Sequence, residues 1–142
     1  MLKVLIADDE EKICQLIIKL INWEEMGLKI AATASNGIEA LEQAKICKPE
    51  ILITDIRMPG IDGMELIRKV KEKLPDTEII IISGYRHFEY AQTAIRYGVR
   101  NYLLKPIKKE ELRDTLRKDR RYLQGENEQL NFEERVRLAL KK

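Results

Sequence analysis

The chain has 142 residues, of which 44% are hydrophobic and 35% are charged. This length suits about one domain, and a formal net charge of only +2 argues against a general affinity for nucleic acid or anionic membranes. The apolar run near the N-terminus is too short for a signal peptide, and no run approaches a membrane-spanning length, so we expect a cytoplasmic location.

Five short apolar runs alternate with segments that have helical spacing. The runs predicted as strands cover residues 2–7, 28–34, 50–54, 78–83 and 101–105. The segments predicted as helices cover residues 13–21, 36–46, 66–74, 88–98 and 108–123. Asn36 and Asp62 fall at helix boundaries, where capping residues are expected. Five strand–helix units in succession predict an α/β fold, in which a parallel sheet carries helices on both faces.

The character of each run predicts the position of its strand in the sheet. The first, third and fourth runs are continuously apolar, which is typical of parallel strands that are covered on both faces. The second and fifth are shorter or more mixed, so we expect them at the edges. This gives the order 2-1-3-4-5 of the doubly wound, five-stranded flavodoxin-like fold.

The composition changes after about residue 120. We expect residues 1–120 to form the globular domain and residues 121–142 to form a charged helical extension or a linker toward a further domain. Leu116, Leu123 and Leu130 recur every seven residues, a spacing that would suit a short coiled-coil seam. A solvated extension of the last helix is the alternative.

Polar side chains stand at the ends of four of the predicted strands. Asp8 and Asp9 follow the first strand and Asp55 follows the third, while Ser83 ends the fourth and Lys105 ends the fifth. In a doubly wound fold these strand ends meet at one edge of the sheet. Three carboxylates there would repel one another, one lysine offsets a single charge, and a divalent cation with oxygen ligands would offset two more.

This grouping suits Mg²⁺-dependent phosphate chemistry. A carboxylate oxygen there can attack phosphorus, with the cation, the lysine and the hydroxyl opposing the developing charge. Asp55 stands alone on its strand and is the predicted nucleophile, whereas the adjacent Asp8 and Asp9 suit an ion. The alternatives are a cluster of salt bridges without metal and, for a single aspartate, an ordinary helix N-cap.

The stretches "VLIADDE", "ILITDIRMPGIDGMELI", "IIIISGY" and "NYLLKPI" resemble the receiver domain of two-component response regulators over about residues 2–120. The resemblance implies that Asp55 accepts a phosphoryl group from a phosphohistidine on a sensor histidine kinase. It implies Mg²⁺ as the cofactor, with Asp9 as a direct ligand, Asp8 holding a water of the ion, and further ligands from Asp55 and the backbone carbonyl of Arg57.

The same resemblance implies a conformational switch rather than an enzyme with its own substrate. Ser83 would turn toward the phosphoryl group, Lys105 would pair with it, and Tyr102 would swing inward. Lys105 would precede a cis peptide bond to proline. The face formed by the fourth helix, the fifth strand and the fifth helix would mediate a homodimer.

A finer resemblance points to one subfamily. The runs "INWEEMGLKIAATASNGIEAL" and "SGYRHFEYAQTAIRYGVRNYLLKPI" are similar to YesN-like regulators, which carry an AraC-type helix-turn-helix output domain. No such domain is present in these residues, so we expect DNA binding and control of transcription only through an output domain outside this chain. Arg57 and Tyr85 flank the expected path of attacking water, and we expect them to set the lifetime of the phosphoryl group.

Three other classes of protein fit these residues less well. A haloacid-dehalogenase-type phosphatase also uses an aspartate nucleophile with Mg²⁺, but it needs a second aspartate two residues later, where this chain has Arg57. A flavodoxin-like FMN binder needs a phosphate loop rich in glycine and hydroxyl groups, whereas "ADDEEK" is acidic. A degenerate receiver that acts only as an interaction module is disfavoured by the complete set of acceptor residues.

Overall fold

The computed structural model of the protein describes residues 1–84, 88–125 and the four residues Val136, Arg137, Ala139 and Leu140. The strands are β1 (Leu2–Ala7), β2 (Leu28–Ala34), β3 (Ile51–Thr54), β4 (Glu78–Ser83) and β5 (Asn101–Leu104). The helices are α1 (Glu11–Leu20), α2 (Gly37–Cys47), α3 (Gly63–Lys73), α4 (Phe88–Arg96) and α5 (Lys109–Leu123). No helix in these described ranges is both long and apolar enough to cross a lipid bilayer.

The strands form one parallel sheet in the order β2-β1-β3-β4-β5. The predicted fold class and strand order are therefore confirmed. The residues of β3 and β4 are buried throughout, whereas β2 and β5, at the edges, are partly exposed. The central strands are apolar along their whole length because helices cover both faces of the sheet.

Two buried clusters, one on each face of the sheet, form the core. One face packs under α2, α3 and α4 around Leu52, Leu66 and Ile81. The other packs under α1 and α5 around Ile53, Ile17 and Leu116. Leu116 is completely buried, so it cannot line a coiled-coil seam, and Leu130 lies outside the described residues.

Two predicted boundary residues cap helices. Asn36 accepts a hydrogen bond from the backbone N–H of Glu39 at 2.8 Å and caps α2. Asp62 accepts one from Glu65 at 2.9 Å and caps α3. Each cap satisfies a backbone N–H group that the first helical turn leaves without a partner. The predicted division at residue 120 stays a prediction, since α5 continues across it to Leu123.

Candidate functional site

The carboxyl ends of β1 and β3 bring three carboxylates together. One carboxylate oxygen from each of Asp8, Asp9 and Asp55 lies within 4.8 Å of the others. Asp8 and Asp55 are buried, with 3% and 6% of their surface exposed, whereas Asp9 is exposed. The cluster forms because β1 and β3 are neighbours and pair Ala7 with Thr54, the residues that precede Asp8 and Asp55.

Lys105, which follows the edge strand β5, reaches this cluster along the same end of the sheet. Its Nζ atom lies 2.9 Å from Oδ2 of Asp55 and 3.2 Å from Oδ2 of Asp8. The backbone N–H of Lys105 donates to the carbonyl of Ser83, which continues the β4–β5 pairing to the edge of the sheet. The Lys105–Pro106 peptide bond is cis, as the resemblance implied.

Burial and charge act against each other in this cluster. Burial raises the pKa of Asp8, reinforced by the negative charge of Asp55 and opposed by the backbone N–H of Glu10 and by Lys105. Burial alone would lower the pKa of Lys105, but its hydrogen bond to Asp55 and the charges of Asp55 and Asp8 raise it instead. The ammonium is therefore held in its charged form by the two carboxylates that it joins.

Asp55 is not a helix cap. Its Oδ1 atom accepts a hydrogen bond of 2.6 Å from the backbone N–H of Ile56, while Asp62 caps the helix that follows. Asp9 caps no helix either, since Glu10 occupies the N-cap position of α1 without a side-chain hydrogen bond. The local structure thus leaves the second oxygen of Asp55 to Lys105.

The loop after Asp55 depends on close packing at Gly63. The backbone N–H of Gly63 donates to the carbonyl of Ile56, and a Cβ atom added at Gly63 would overlap the carbonyl oxygen of Asp55. The absence of a side chain therefore lets the start of α3 rest directly against the acceptor loop.

The two predicted switch residues contact each other. Ser83 is completely buried, and its side chain shares a hydrogen bond with that of half-buried Tyr102. Burial raises the pKa of the Tyr102 hydroxyl, the Ser83 hydrogen bond opposes this rise, and the charge of Asp55 adds to it. Ser83 and Asp55 therefore both act on the ionisation of the Tyr102 hydroxyl.

One neighbouring contact was missed by sequence reasoning. The Nη2 atom of Arg57 donates a hydrogen bond of 3.3 Å to the hydroxyl of Tyr90 on α4. The sequence pattern assigns Tyr90 no role at this site, because a contact across 33 residues of sequence leaves no local signal. Tyr85, the other residue expected beside the path of water, lies outside the described residues.

The donor set fits a hard divalent cation. Three carboxylates offer only oxygen atoms, which are the preferred ligands of Mg²⁺, and Lys105 leaves part of their negative charge uncompensated. Asp8 and Asp55 also form salt bridges with Lys105, so the alternative of a salt-bridge cluster without metal stays open beside the metal site.

Comparison with known families decides the class of this protein. The profile described as "Response regulator receiver domain" matches residues 4–117. The chain belongs to this family. It is therefore the receiver domain of a response regulator, a signalling switch of two-component systems.

Individual relatives of this receiver domain agree with the assignment. It is 44% identical over 116 residues, or 82% of its length, to the "Uncharacterized transcriptional regulatory protein YesN" of Bacillus subtilis. The REC domain of AraT, a response regulator from Geobacillus stearothermophilus, is 43% identical with a TM-score of 0.83, covering 89% of this chain and 98% of that one. A two component transcriptional regulator AraC from Clostridium phytofermentans is 35% identical with a TM-score of 0.80, covering 87% and 95%.

These curated relatives are longer proteins. The receiver domain spans 32% of the YesN sequence and 42% of the "Transcriptional regulatory protein HptR" of Staphylococcus aureus strain N315, to which it is 40% identical over 107 residues. The similarity therefore concerns one part of each relative, and the activities of the whole relatives are not carried by this match.

Proposed function

We propose that this receiver domain accepts a phosphoryl group on Asp55 in a Mg²⁺-dependent reaction and changes conformation to control an output domain, which regulates transcription. The single observation that supports this most strongly is the position of Lys105, whose ammonium contacts both Asp55 and Asp8 beside the exposed Asp9. A nucleophilic carboxylate, a cation site and a fixed positive charge are the three parts that phosphoryl transfer requires.

The donor would be a phosphohistidine on a sensor histidine kinase. Oδ2 of Asp55 forms the new bond to phosphorus as the nitrogen–phosphorus bond of the donor breaks and the imidazole leaves. Asp8, Asp9, Asp55 and the backbone carbonyl of Arg57 would hold Mg²⁺, which opposes the charge of the phosphoryl oxygens when bound. Lys105 supplies a second positive charge, already held in place by the same carboxylates.

In the proposed switch, the phosphoryl group competes with the present partners of Ser83 and Lys105 for these two side chains. A phosphoryl group on Asp55 would carry up to two negative charges in place of the single carboxylate charge, beside Lys105 and within reach of the Ser83 hydroxyl. Ser83 would then exchange its hydrogen bond with Tyr102 for one to the phosphoryl group, and Tyr102 would repack against β5. Several charge-assisted hydrogen bonds, each about 1.5–3 kcal/mol, would supply the roughly 5 kcal/mol needed to invert a two-state equilibrium.

The proposed setting is cytoplasmic, with residues 1–120 as the receiver domain and residues 121–142 as the extension toward an AraC-type output domain. DNA would be bound only through that output domain. A homodimer through α4, β5 and α5 would connect phosphorylation to DNA binding. The similarity to transcriptional regulatory proteins supports this setting.

The proposal is tested by incubating the protein with acetyl phosphate, with and without Mg²⁺, and measuring its intact mass. We expect one phosphoryl group on the wild-type protein with Mg²⁺, and none without the ion or on Asp55→Asn. Modification that persists in Asp55→Asn would rule out Asp55 as the acceptor. No modification of any sample would favour a degenerate receiver that acts as an interaction module.

The hydrogen bond between Arg57 and Tyr90 bears on the lifetime of the phosphoryl group. It joins the loop after Asp55 to α4 and fixes the Arg57 side chain near the path of attacking water. We expect Arg57→Gln and Tyr90→Phe to change the rate of phosphoryl loss in the same direction, with no further change in the double variant. Unchanged rates in both single variants would refute this role.

A further inference from the structure

A basic groove lies between α5 and the end of α1, on the face of the molecule that packs α1 and α5 against the sheet. It has a volume of about 400 Å³, which falls within the range of small-molecule sites. Four cationic side chains from α5 line it, and the carboxylate of Glu25 is the acidic group among its lining residues. The cationic residues are Lys109, Arg113, Arg117 and Arg120.

The spacing of these four residues places them on one stripe of α5. At 3.6 residues per turn, positions 109, 113, 117 and 120 fall within an arc of about 80° and extend over about 16 Å. Their charges therefore add along one line instead of surrounding the helix. A ligand that meets several of them must carry several negative charges in an extended arrangement.

Among residues 1–84 and 88–125, the four cations of the groove form no ion pair with an acidic side chain. Arg120 donates from Nη1 to the carbonyl of Met26 at 3.2 Å, which anchors that end of the stripe. The Nε–H groups of Arg113 and Arg120 are buried without an acceptor in the described part of the chain, an unfavourable state for a guanidinium donor.

The remaining lining residues make the groove more than a charged surface. Leu20, Ile21 and Met26 form an apolar side, and Asn22 adds an amide beside Glu25. When a phosphate chain binds along the arginine side, this apolar and amide-lined side stays available for a ring system of the same ligand. Guanidinium groups bind phosphate oxygens through paired hydrogen bonds, so their chemistry matches this ligand class well.

We propose that this groove binds a chain of two or more phosphates, either as a free polyphosphate or as part of a nucleoside polyphosphate. The site is separate from the Asp55 cluster, since none of its lining residues belongs to that cluster. The proposal also does not depend on phosphorylation of Asp55. An acidic protein segment is the competing occupant, and the test includes it.

The chain contains its own reporter for this test. Trp23, its only tryptophan, is buried beside Asn22 and donates from Nε1 to the carbonyl of Ile18 at 3.0 Å. Ligand binding in the groove, which Asn22 lines, is expected to change its fluorescence. Titrations with tripolyphosphate, ATP, GTP and a hexaglutamate peptide, in EDTA to keep Mg²⁺ from the aspartates, distinguish the sources of the phosphate chain.

We expect saturable binding of tripolyphosphate, and tighter binding of a nucleotide if the apolar side receives its base. Arg113→Gln and Arg117→Gln should each weaken binding about tenfold, the effect of losing one charge-assisted contact. Glu25→Gln should tighten binding, because it removes the repelling carboxylate. Arg121→Gln is the matched control, since Arg121 is exposed on the same helix and does not line the groove.

Three results would overturn the proposal. The first is the absence of a saturable change in tryptophan fluorescence with any phosphate chain up to about 5 mM. A specific site would bind its ligand more tightly than this. The second is equal weakening by Arg121→Gln and Arg113→Gln, which would indicate a diffuse charge effect. The third is binding of hexaglutamate without binding of tripolyphosphate, which would make the groove a protein docking surface. Unchanged circular dichroism spectra of the variants would exclude misfolding as the cause.

Discussion

At the scale of single residues, Lys105 is the residue on which the site depends. Its side chain is only 19% exposed, and its ammonium is shared between Asp8 and Asp55, whose side chains are almost completely buried. Removing one partner of a buried ion pair leaves an uncompensated charge, and this costs more than the pair itself contributes. When Lys105 is replaced and no metal ion is bound, the two carboxylates have no positive charge to hold them in place.

We therefore expect Lys105→Met to lower the free energy of unfolding by about 2 kcal/mol in the absence of Mg²⁺. Saturating Mg²⁺ should reduce the difference, because the ion would replace part of the missing charge. Urea denaturation with and without Mg²⁺ measures both effects. Lys108→Met, at an exposed position nearby, should change stability little; an equal loss in both variants would contradict the account.

Gly63 is the second residue at which we expect a single substitution to destabilise the protein. A methyl group there would overlap the carbonyl oxygen of Asp55 and crowd Ile56, so the backbone of the acceptor loop must move. We expect Gly63→Ala to lower the free energy of unfolding by about 2 kcal/mol or more. Gly84→Ala is the matched control, since no atom of the described residues lies within 4 Å of its added Cβ, and a comparable loss there would refute this explanation.

At the scale of secondary-structure elements, the last turns of α5 are fastened to the beginnings of β4 and β5. Asn101 donates to Oδ1 of the buried Asp119 at 2.9 Å. Arg100 pairs with the buried Glu78 at 2.9 Å and lies 3.7 Å from the centre of the Tyr122 ring. This connection lies at the end of the sheet opposite Asp55.

Asp119 makes this connection dependent on pH. Burial raises the pKa of Asp119 from 3.8 to about 6, assisted by the charge of Glu78 and opposed by Asn101, Arg100 and Lys71. Its Oδ2 atom has no hydrogen-bond partner within the described ranges. Because the folded-state pKa is the higher one, the folded protein binds the proton more tightly. Its stability is therefore greatest below pH 3.8 with respect to this group and falls as pH rises to about 6.

Asp119→Asn removes this ionisation and keeps an oxygen for Asn101. We expect the variant to be more stable than the wild type at pH 7.5, by an advantage about 1 kcal/mol larger than at pH 5. Denaturation curves at both pH values measure the difference. Asp114→Asn, an exposed position on the same helix, should show no such dependence; a pH-independent effect of Asp119→Asn would contradict the raised pKa.

At the scale of the whole molecule, the fold was predictable from the sequence because its signals are local. The continuous apolar runs identified β3 and β4 as central strands, and Asn36 and Asp62 marked two helix starts. Parallel strands in this order then had to bring Asp8, Asp55 and Lys105 to one edge, which the distances confirm. The site was predictable to the extent that it follows from topology.

The remaining features depend on side-chain contacts between distant positions. Asp119 stands in a highly charged helical run and looks solvated in the sequence, yet it is 2% exposed because α5 turns it toward β5. The same limit applies to the bond between Arg57 and Tyr90 and to the basic groove, which forms only when α5 packs beside α1. Periodicity predicts which face of a helix is buried, but it does not predict the partners of polar residues on that face.

The central claim is that Asp55 is the residue that carries the phosphoryl group. It is tested most directly by phosphorylating the protein with acetyl phosphate and Mg²⁺, reducing it with borohydride and mapping the product by peptide mass spectrometry. Reduction converts an aspartyl phosphate to homoserine, so the account predicts homoserine at position 55 and nowhere else. Homoserine at position 8 or 9, or an unmodified position 55 in phosphorylated protein, would contradict it.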